Sequence, residues 1–134
     1  MNFEESVKKF RAYDPINKKF PFEGFYIVGE TTLFDLCKQY ELAHNVKLKI
    51  TQFSGFSDDY AADIYEGDIL NSFSKSETLN LLVVVENGCF VLYHRLGKWG
   101  TLERYMELTS RYVEEPFKVK KIGNYYQNSN LLDQ

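Results

Sequence analysis

The 134-residue chain is short of the residues that mark special architectures. It has two cysteines, three prolines, one tryptophan and only four alanines (Ala12, Ala43, Ala61, Ala62). Its longest apolar run, Leu81 to Val85, is far below the roughly 20 residues that a membrane helix takes. Cys37 and Cys89 are too few for a disulfide framework, and too sparse for a zinc site of about four Cys and His ligands. The opening residues, Met1 to Phe10, interleave Glu4, Glu5, Lys8 and Lys9 with isolated apolar positions and lack the continuous apolar stretch of a signal peptide. The expected location is therefore the cytoplasm, with no membrane association and with both thiols reduced. Sixteen basic against nineteen acidic side chains give a net charge of -3, which carries no overall electrostatic footprint for nucleic acid.

What the chain has in surplus is aromatic. Eleven Phe and ten Tyr against four Ala favour strands, because aromatic rings suit a half-buried pleated surface and alanine is the best helix former. A helix bundle is thereby disfavoured, and at this length one compact domain spanning 1–134 is the natural reading. A short helical turn is expected around Glu4 to Lys9. Asp14-Pro15-Ile16-Asn17 is a turn signal, and Lys19 to Phe22 can pair back across it. Gly24 and Gly29 bracket a strand, Phe25 to Val28, and Thr31 to Tyr40 carries Leu33, Leu36, Cys37 and Tyr40 at helical spacing with Thr32 as N-cap. Val46 to Ile50 alternates apolar and basic residues, as a strand with one wet face does.

The clearest local signal is Leu81 to Glu86 and Cys89 to Tyr93 joined by Asn87-Gly88, the pair best suited to a type I′ hairpin turn. Both faces of this hairpin are apolar, so it needs cover on two sides, with the N-terminal aromatic segment or a second subunit expected on the outer one. Leu96 to Gly100 reads as a second turn. A strand or helical piece over Leu102 to Val113, a break at Pro116 and a last strand from Phe117 to Ile122 follow. Gly123-Asn124 closes that strand, as a pair suited to left-handed backbone.

Three stretches together resemble the YopX protein family. They are Lys9 to Asp14 with Lys18-Lys19, Gln52 to Phe56 leading into Asp63 to Leu70, and Ile122 to Tyr126 with Asn128 and Leu131-Leu132. They are similar to the family's Lys-Phe-Arg-Ala-aromatic-Asp opening, its Gln-Tyr-Thr-Gly-Leu and Ile-Tyr-Glu-Gly-Asp-Ile-Val segments, and its closing Ile-Gly-Asn-x-Tyr-x-Asn-x-x-Leu-Leu. Ser57 to Ala62 departs from the Lys-Asp-Lys-Asn-Gly turn common in members. The resemblance implies a phage- or prophage-encoded protein of mainly β fold. It implies a small SH3-like barrel or roll in the C-terminal part; joined to the strand and helix signals above, this puts a barrel core over roughly 50–126, with an N-terminal β segment over roughly 9–50 and one short helix packed on that barrel. It implies no established activity and carries no catalytic residues over.

The residues agree that no catalytic constellation is visible. Asp58, Asp59, Asp63, Glu66 and Asp68 are the densest acidic cluster, but their spacing does not match an EF-hand, and a solvated turn capped by Asp68 is the better reading. His44 and His94 lack a nucleophile elbow or a metal-binding helix motif beside them, and both cysteines read as structural. No phosphate loop, cofactor or metal is expected. Between His94 and Lys121, seven basic residues (Arg95, Lys98, Arg104, Arg111, Lys118, Lys120, Lys121) interleave with Trp99, Tyr105 and Tyr112, and with four acidic residues, Glu103, Glu107, Glu114 and Glu115. Arg95, Trp99 and Arg104 are the candidate binding residues. The expected function is a non-enzymatic accessory protein that binds a phage or host protein and can self-associate. A nucleic-acid-binding small barrel is the alternative, disfavoured because the glutamates interrupt any phosphate track.

Overall fold

A computed structural model describes residues 8–27, 30–74, 77–109 and 117–133. The expected turn over Glu4 to Lys9, residues Val28 and Gly29, and the stretch around Pro116 therefore lie wholly or partly outside the described residues. The protein is mainly β, with two antiparallel sheets, one of them a half-barrel, and a few short helices. The chain divides into two compact units, Met1–Phe53 and Ser54–Gln134.

In the first unit, β1 (Lys8–Asp14) lies between β2 (Lys19–Ile27) and the beginning of β3 (Lys49–Ser57). The β1–β2 turn is organised by Asp14. Its Oδ1 accepts from the Ile16 and Asn17 amides, both at 2.9 Å, and its Oδ2 accepts from the Asn17 side chain and the Tyr40 hydroxyl, both at 2.7 Å. Tyr40 belongs to α1 (Glu30–His44), so this single carboxylate joins the hairpin turn to the helix. Burial pushes its pKa up, but the hydrogen bonds from Asn17, Tyr40 and Ile16 outweigh burial and hold it well below the ordinary carboxylate range. The helix is longer than the sequence suggested. Thr32 lies inside it instead of capping it, and Asn45, in left-handed conformation at φ 52°, follows its last residue. Cys37 and Tyr40 pack with Ala12, Phe10, Phe22, Val46, Leu48 and Ile50 into a small core. The expected strand from Val46 begins only at Lys49, because Val46 to Leu48 connect helix to sheet.

The second unit is built on five strands in the order β8 (Gly97–Thr101), β7 (Cys89–His94), β6 (Thr78–Glu86), β5 (Asp68–Phe73) and β9 (Lys118–Asn124). The far end of β3 continues into this unit, where it pairs with β4 (Asp63–Tyr65). The β6–β7 hairpin forms as expected, with Asn87 at φ 52° and Gly88 at φ 78° between Glu86 and Cys89. One sheet face carries Leu70, Leu81, Val83, Leu92 and Val119. Ile64, Phe56 and Phe90 pack on it, as do Leu102, Tyr105 and Met106 from α2 (Leu102–Thr109).

On the outer face of the hairpin, Tyr93 stands opposite Leu82 and its hydroxyl donates to the Glu86 carboxylate, near the turn. Farther along β6, Asn80 donates to the Leu131 carbonyl at 2.8 Å and holds the 3₁₀ segment Ser129–Asp133 against that strand. Leu131 and Leu132 return as half-buried cover and do not enter the core cluster.

At the β4–β5 turn, Gly67 has φ +92°, and its amide donates to the Val83 carbonyl at 2.7 Å. Its own carbonyl accepts from the Tyr125 amide at 2.7 Å, at the start of α3 (Tyr125–Asn128). Asp68 Oδ2 accepts from the Tyr65 amide across the same turn, at 2.7 Å. The expected left-handed geometry at Gly123-Asn124 does not occur. Asn124 is extended at φ -145° and caps α3 by accepting from the Gln127 amide.

Two outcomes follow. A Cβ at Gly67 would lie 2.9 Å from the Tyr126 ring in a backbone conformation that L residues avoid, so Gly67→Val lowers unfolding free energy by about 2–4 kcal/mol. Denaturant titration checks this, and an unchanged midpoint contradicts it. Asp14 has a folded pKa below its unfolded value, so the stability it contributes is complete above the usual 3.8 and is lost as the pH falls through the folded value. Asp14→Asn, less stable at neutral pH, therefore loses less on acidification than the parent, as thermal melts across that range will show.

Candidate functional site

The candidate residues Arg95, Trp99 and Arg104 fall on the β7–β8 hairpin and the first turn of α2. The segment read as a turn from Leu96 to Gly100 is largely strand. The turn itself is Arg95-Leu96, and Gly97–Thr101 pairs with β7 as the edge of the sheet. The reading failed because two glycines in five residues usually mark a turn, whereas here they flank a β-bulge. Leu92 pairs with Gly100 and Tyr93 with Lys98, so Trp99 is the extra residue, opposite none. A bulge re-aims the side chain it carries, and Trp99 is left 50% exposed.

Thr101 then starts α2. Its Oγ1 accepts from the Arg104 amide at 3.3 Å, which is the geometry of an N-cap and sets Arg104 on the first turn. Trp99 and Arg104, with Gly100, Thr101 and Tyr105, line a groove of about 110 Å³. Arg95 is not part of it. It sits exposed at the hairpin tip beside Leu96, which is 79% exposed. The His94 ring lies 6.3 Å from that of Trp99, and His94 Nδ1 accepts from the Leu96 amide, so this histidine shapes the tip. Lys98 is paired with Glu86 at 3.3 Å, on the side of the sheet where Tyr93 also meets Glu86. The hydrogen bond from Tyr93, aided by Lys98, lowers the Glu86 pKa, and the same bond raises that of Tyr93.

The floor of the groove is more buried than its rim. The Tyr105 hydroxyl meets the Ser72 hydroxyl on β5, and burial, followed by the charges of Asp59 and Glu77, pushes the Tyr105 pKa up to about 12. The groove therefore has a fixed aromatic base, a half-exposed indole wall and one guanidinium. Such a surface can take an apolar side chain flanked by an acceptor.

The rest of the basic set is not brought here. Lys118, Lys120 and Lys121 are on β9, at the opposite edge of the five-stranded sheet. Lys121 donates to the Asp63 carbonyl at 2.7 Å and pairs with Asp68 at 3.3 Å, and Lys120 lies over the Tyr60 ring. Arg111, Tyr112, Glu114 and Glu115 lie outside the described residues.

The acidic cluster is in part the expected turn, with Asp59 to Ala61 exposed and Asp68 capping at Tyr65, but two of its carboxylates also tie it to β9. Asp58 is buried, accepts the Tyr60 and Ala62 amides on Oδ1, and accepts the Lys121 amide on Oδ2 at 2.8 Å. Asp59 accepts the Val119 amide at 2.6 Å and donates its own amide to the Val119 carbonyl. Two carboxylates thus occupy the outward amides of edge strand β9. Spacing alone could not reveal this, because the partners are about 60 residues away. Among the described residues, no group of three or more His, Cys, Asp or Glu side chains is placed to hold a metal ion. Cys37 is buried, and burial followed by the Glu41 charge raises its pKa. Cys89, expected inside a buried strand, is exposed, because it is the first residue after the hairpin turn.

A family model described as YopX protein matches residues 9–133, across both units. This chain belongs to the YopX protein family. No curated protein and no solved structure matches it. The stretches that resemble other YopX members map onto β1, β3, the β4–β5 turn and the β9–α3 junction, which are scaffold. Trp99 and Arg104 lie outside them, on β8 and on the first turn of α2.

The raised Tyr105 pKa has a consequence at high pH. The folded protein keeps this proton longer than the unfolded chain, so the contribution is complete below about pH 10 and is lost as the pH rises toward 12. Unfolding free energy should fall more steeply over that interval in the parent than in Tyr105→Phe. Parallel curves would place the phenol in water.

Proposed function

We propose that this YopX-family chain is a phage or prophage accessory protein that acts without catalysis in the bacterial cytoplasm. It binds a protein partner through the β8 edge and the first turn of α2, on a half-barrel that we read as SH3-like. The observation that carries this reading is Trp99, a half-exposed indole turned outward by a bulge on an edge strand, with exposed Leu96 and Arg95 at the hairpin tip and Arg104 across the groove. Trp and Arg are the residue types in which interface energy concentrates, and an apolar anchor with a charged rim is the usual anatomy of such a patch. A groove of about 110 Å³ is small beside the roughly 300–1,000 Å³ of metabolite sites, so it suits one anchoring side chain.

The test uses the full chain as bait in extract of a bacterial host, with Trp99→Ala and Arg104→Ala in parallel. A specific protein is expected on the parent, and Trp99→Ala should weaken its binding by about 2 kcal/mol, roughly thirtyfold in Kd. Trp99 is the sole tryptophan, so its fluorescence should shift when the partner docks. Capture that Trp99→Ala leaves intact would remove the site from the proposal. Oligonucleotide binding that weakens steeply with salt would favour a nucleic-acid-binding barrel instead.

A further inference from the structure

We infer a second docking surface, in the N-terminal unit: a groove between α1 and the β3 approach that takes an acidic protein segment carrying an apolar side chain. The groove encloses about 430 Å³ and is lined by Cys37, Lys38 and Glu41 from the helix and by Lys47, Leu48, Lys49 and Ile50 from the segment that enters β3. The alternation in that segment sends Leu48 into the core, 6% exposed, and leaves Lys47 and Lys49 in water. Lys38 is exposed on the helix side.

Charge decides what such a groove accepts. Its one carboxylate, Glu41, already holds the Leu48 amide at 2.8 Å, so it is occupied in tying helix to strand. Among the described residues, the three lysines take part in no ion pair, unlike Lys98 and Lys121 elsewhere in the chain. Asp35, one turn before Lys38, does not line the groove. Three cations around one engaged carboxylate form a local positive site on a chain of net charge -3. The same complementarity that attracts carboxylates steers association.

The floor selects between anionic partners. Its apolar lining is half-buried Ile50 over the buried Leu48 and Cys37, with no aromatic ring, so a nucleic-acid base has nothing to stack on, whereas a Leu, Ile or Met side chain can pack against Ile50. Leu42, 78% exposed on the helix one turn after Lys38, extends the apolar surface beyond the groove. This surface is independent of Trp99 and Arg104.

The probe is a fluorescently labelled peptide of sequence Glu-Glu-Leu-Glu-Glu-Leu-Glu, titrated with the full chain at low and at physiological salt. Saturable binding that weakens with salt is expected, and Lys47→Glu combined with Lys49→Glu should weaken it by about tenfold or more. Lys38→Gln should weaken it less. Trp99→Ala should leave it unchanged, which separates this surface from the β8 site. All three lysines are exposed, so circular dichroism should show parent-like folding in these variants. Absence of saturable binding, or binding that the lysine variants leave intact, overturns the inference. Tighter binding of a single-stranded oligonucleotide of equal charge would assign the groove to nucleic acid and overturn it equally.

Discussion

The second unit depends on the backbone of one residue, Gly67. Its amide bonds to β6 at Val83 and its carbonyl takes the Tyr125 amide that begins α3, while Asp68 closes the turn from the other side on Tyr65. A central strand, a strand start and the C-terminal tail thus meet at a residue whose backbone conformation only glycine adopts without strain and whose missing side chain leaves room for the Tyr126 ring. Moving this point would disturb the start of β5, and with it the register that puts Leu70 and Leu81 in the core and Asn71 and Asn80 outside. The tail that covers the outer face is anchored through the same junction.

A five-stranded sheet leaves two edges, and this chain treats them differently. On β9 the outward amides of Val119 and Lys121 are taken by Asp59 and Asp58, so that edge offers no template to another chain. On β8 the ladder is interrupted by the Trp99 bulge, which discourages continuous strand addition and also pushes an indole into solvent. The device that protects the edge is therefore the one that creates the candidate site. Self-association through β8 pairing is the less natural use of this edge, and recognition of a side chain the more natural one.

Local signals were legible where the chemistry is local. Asp14-Pro15, Asn87-Gly88 and Gly67-Asp68 each name a turn within three or four residues, and each turn forms where its residues stand. The need for cover on the hairpin is legible in its apolar faces, but these two contacts are not, because the Tyr93 to Glu86 contact depends on pairing register and the Asn80 to Leu131 contact spans 51 positions. The three candidates were chosen for residue type. Type was enough to select Trp99 and Arg104, which the fold brings to one groove, but not to separate them from Arg95, which it leaves at the hairpin tip. The bulge had no sequence signature beyond Gly100, since glycine at a strand end reads equally as a turn. Cys89 was misread for a related reason: alternation shows which face a residue takes, while exposure at a strand end depends on what lies beyond the last rung.

The perturbed groups show what the shifted ionisable side chains do in this fold. Asp14 and Tyr40 are shifted by each other and by Asn17, and Glu86 and Tyr93 by each other, with Lys98 beside them. Each shift has its cause in a contact that holds two elements together, and neither pair faces one of the grooves described above. Such pairs are stability devices, since a catalytic group needs an ionisable atom left open to substrate. Two groups are exceptions by position: Cys37 lines the α1 groove as a buried thiol with a raised pKa, and Tyr105 lines the β8 groove, yet its hydroxyl is directed to Ser72 and a pKa near 12 keeps it neutral. It offers the groove a fixed ring and no titrating group. What remains accessible beside it is an indole and a guanidinium, which recognise surfaces and do not move protons.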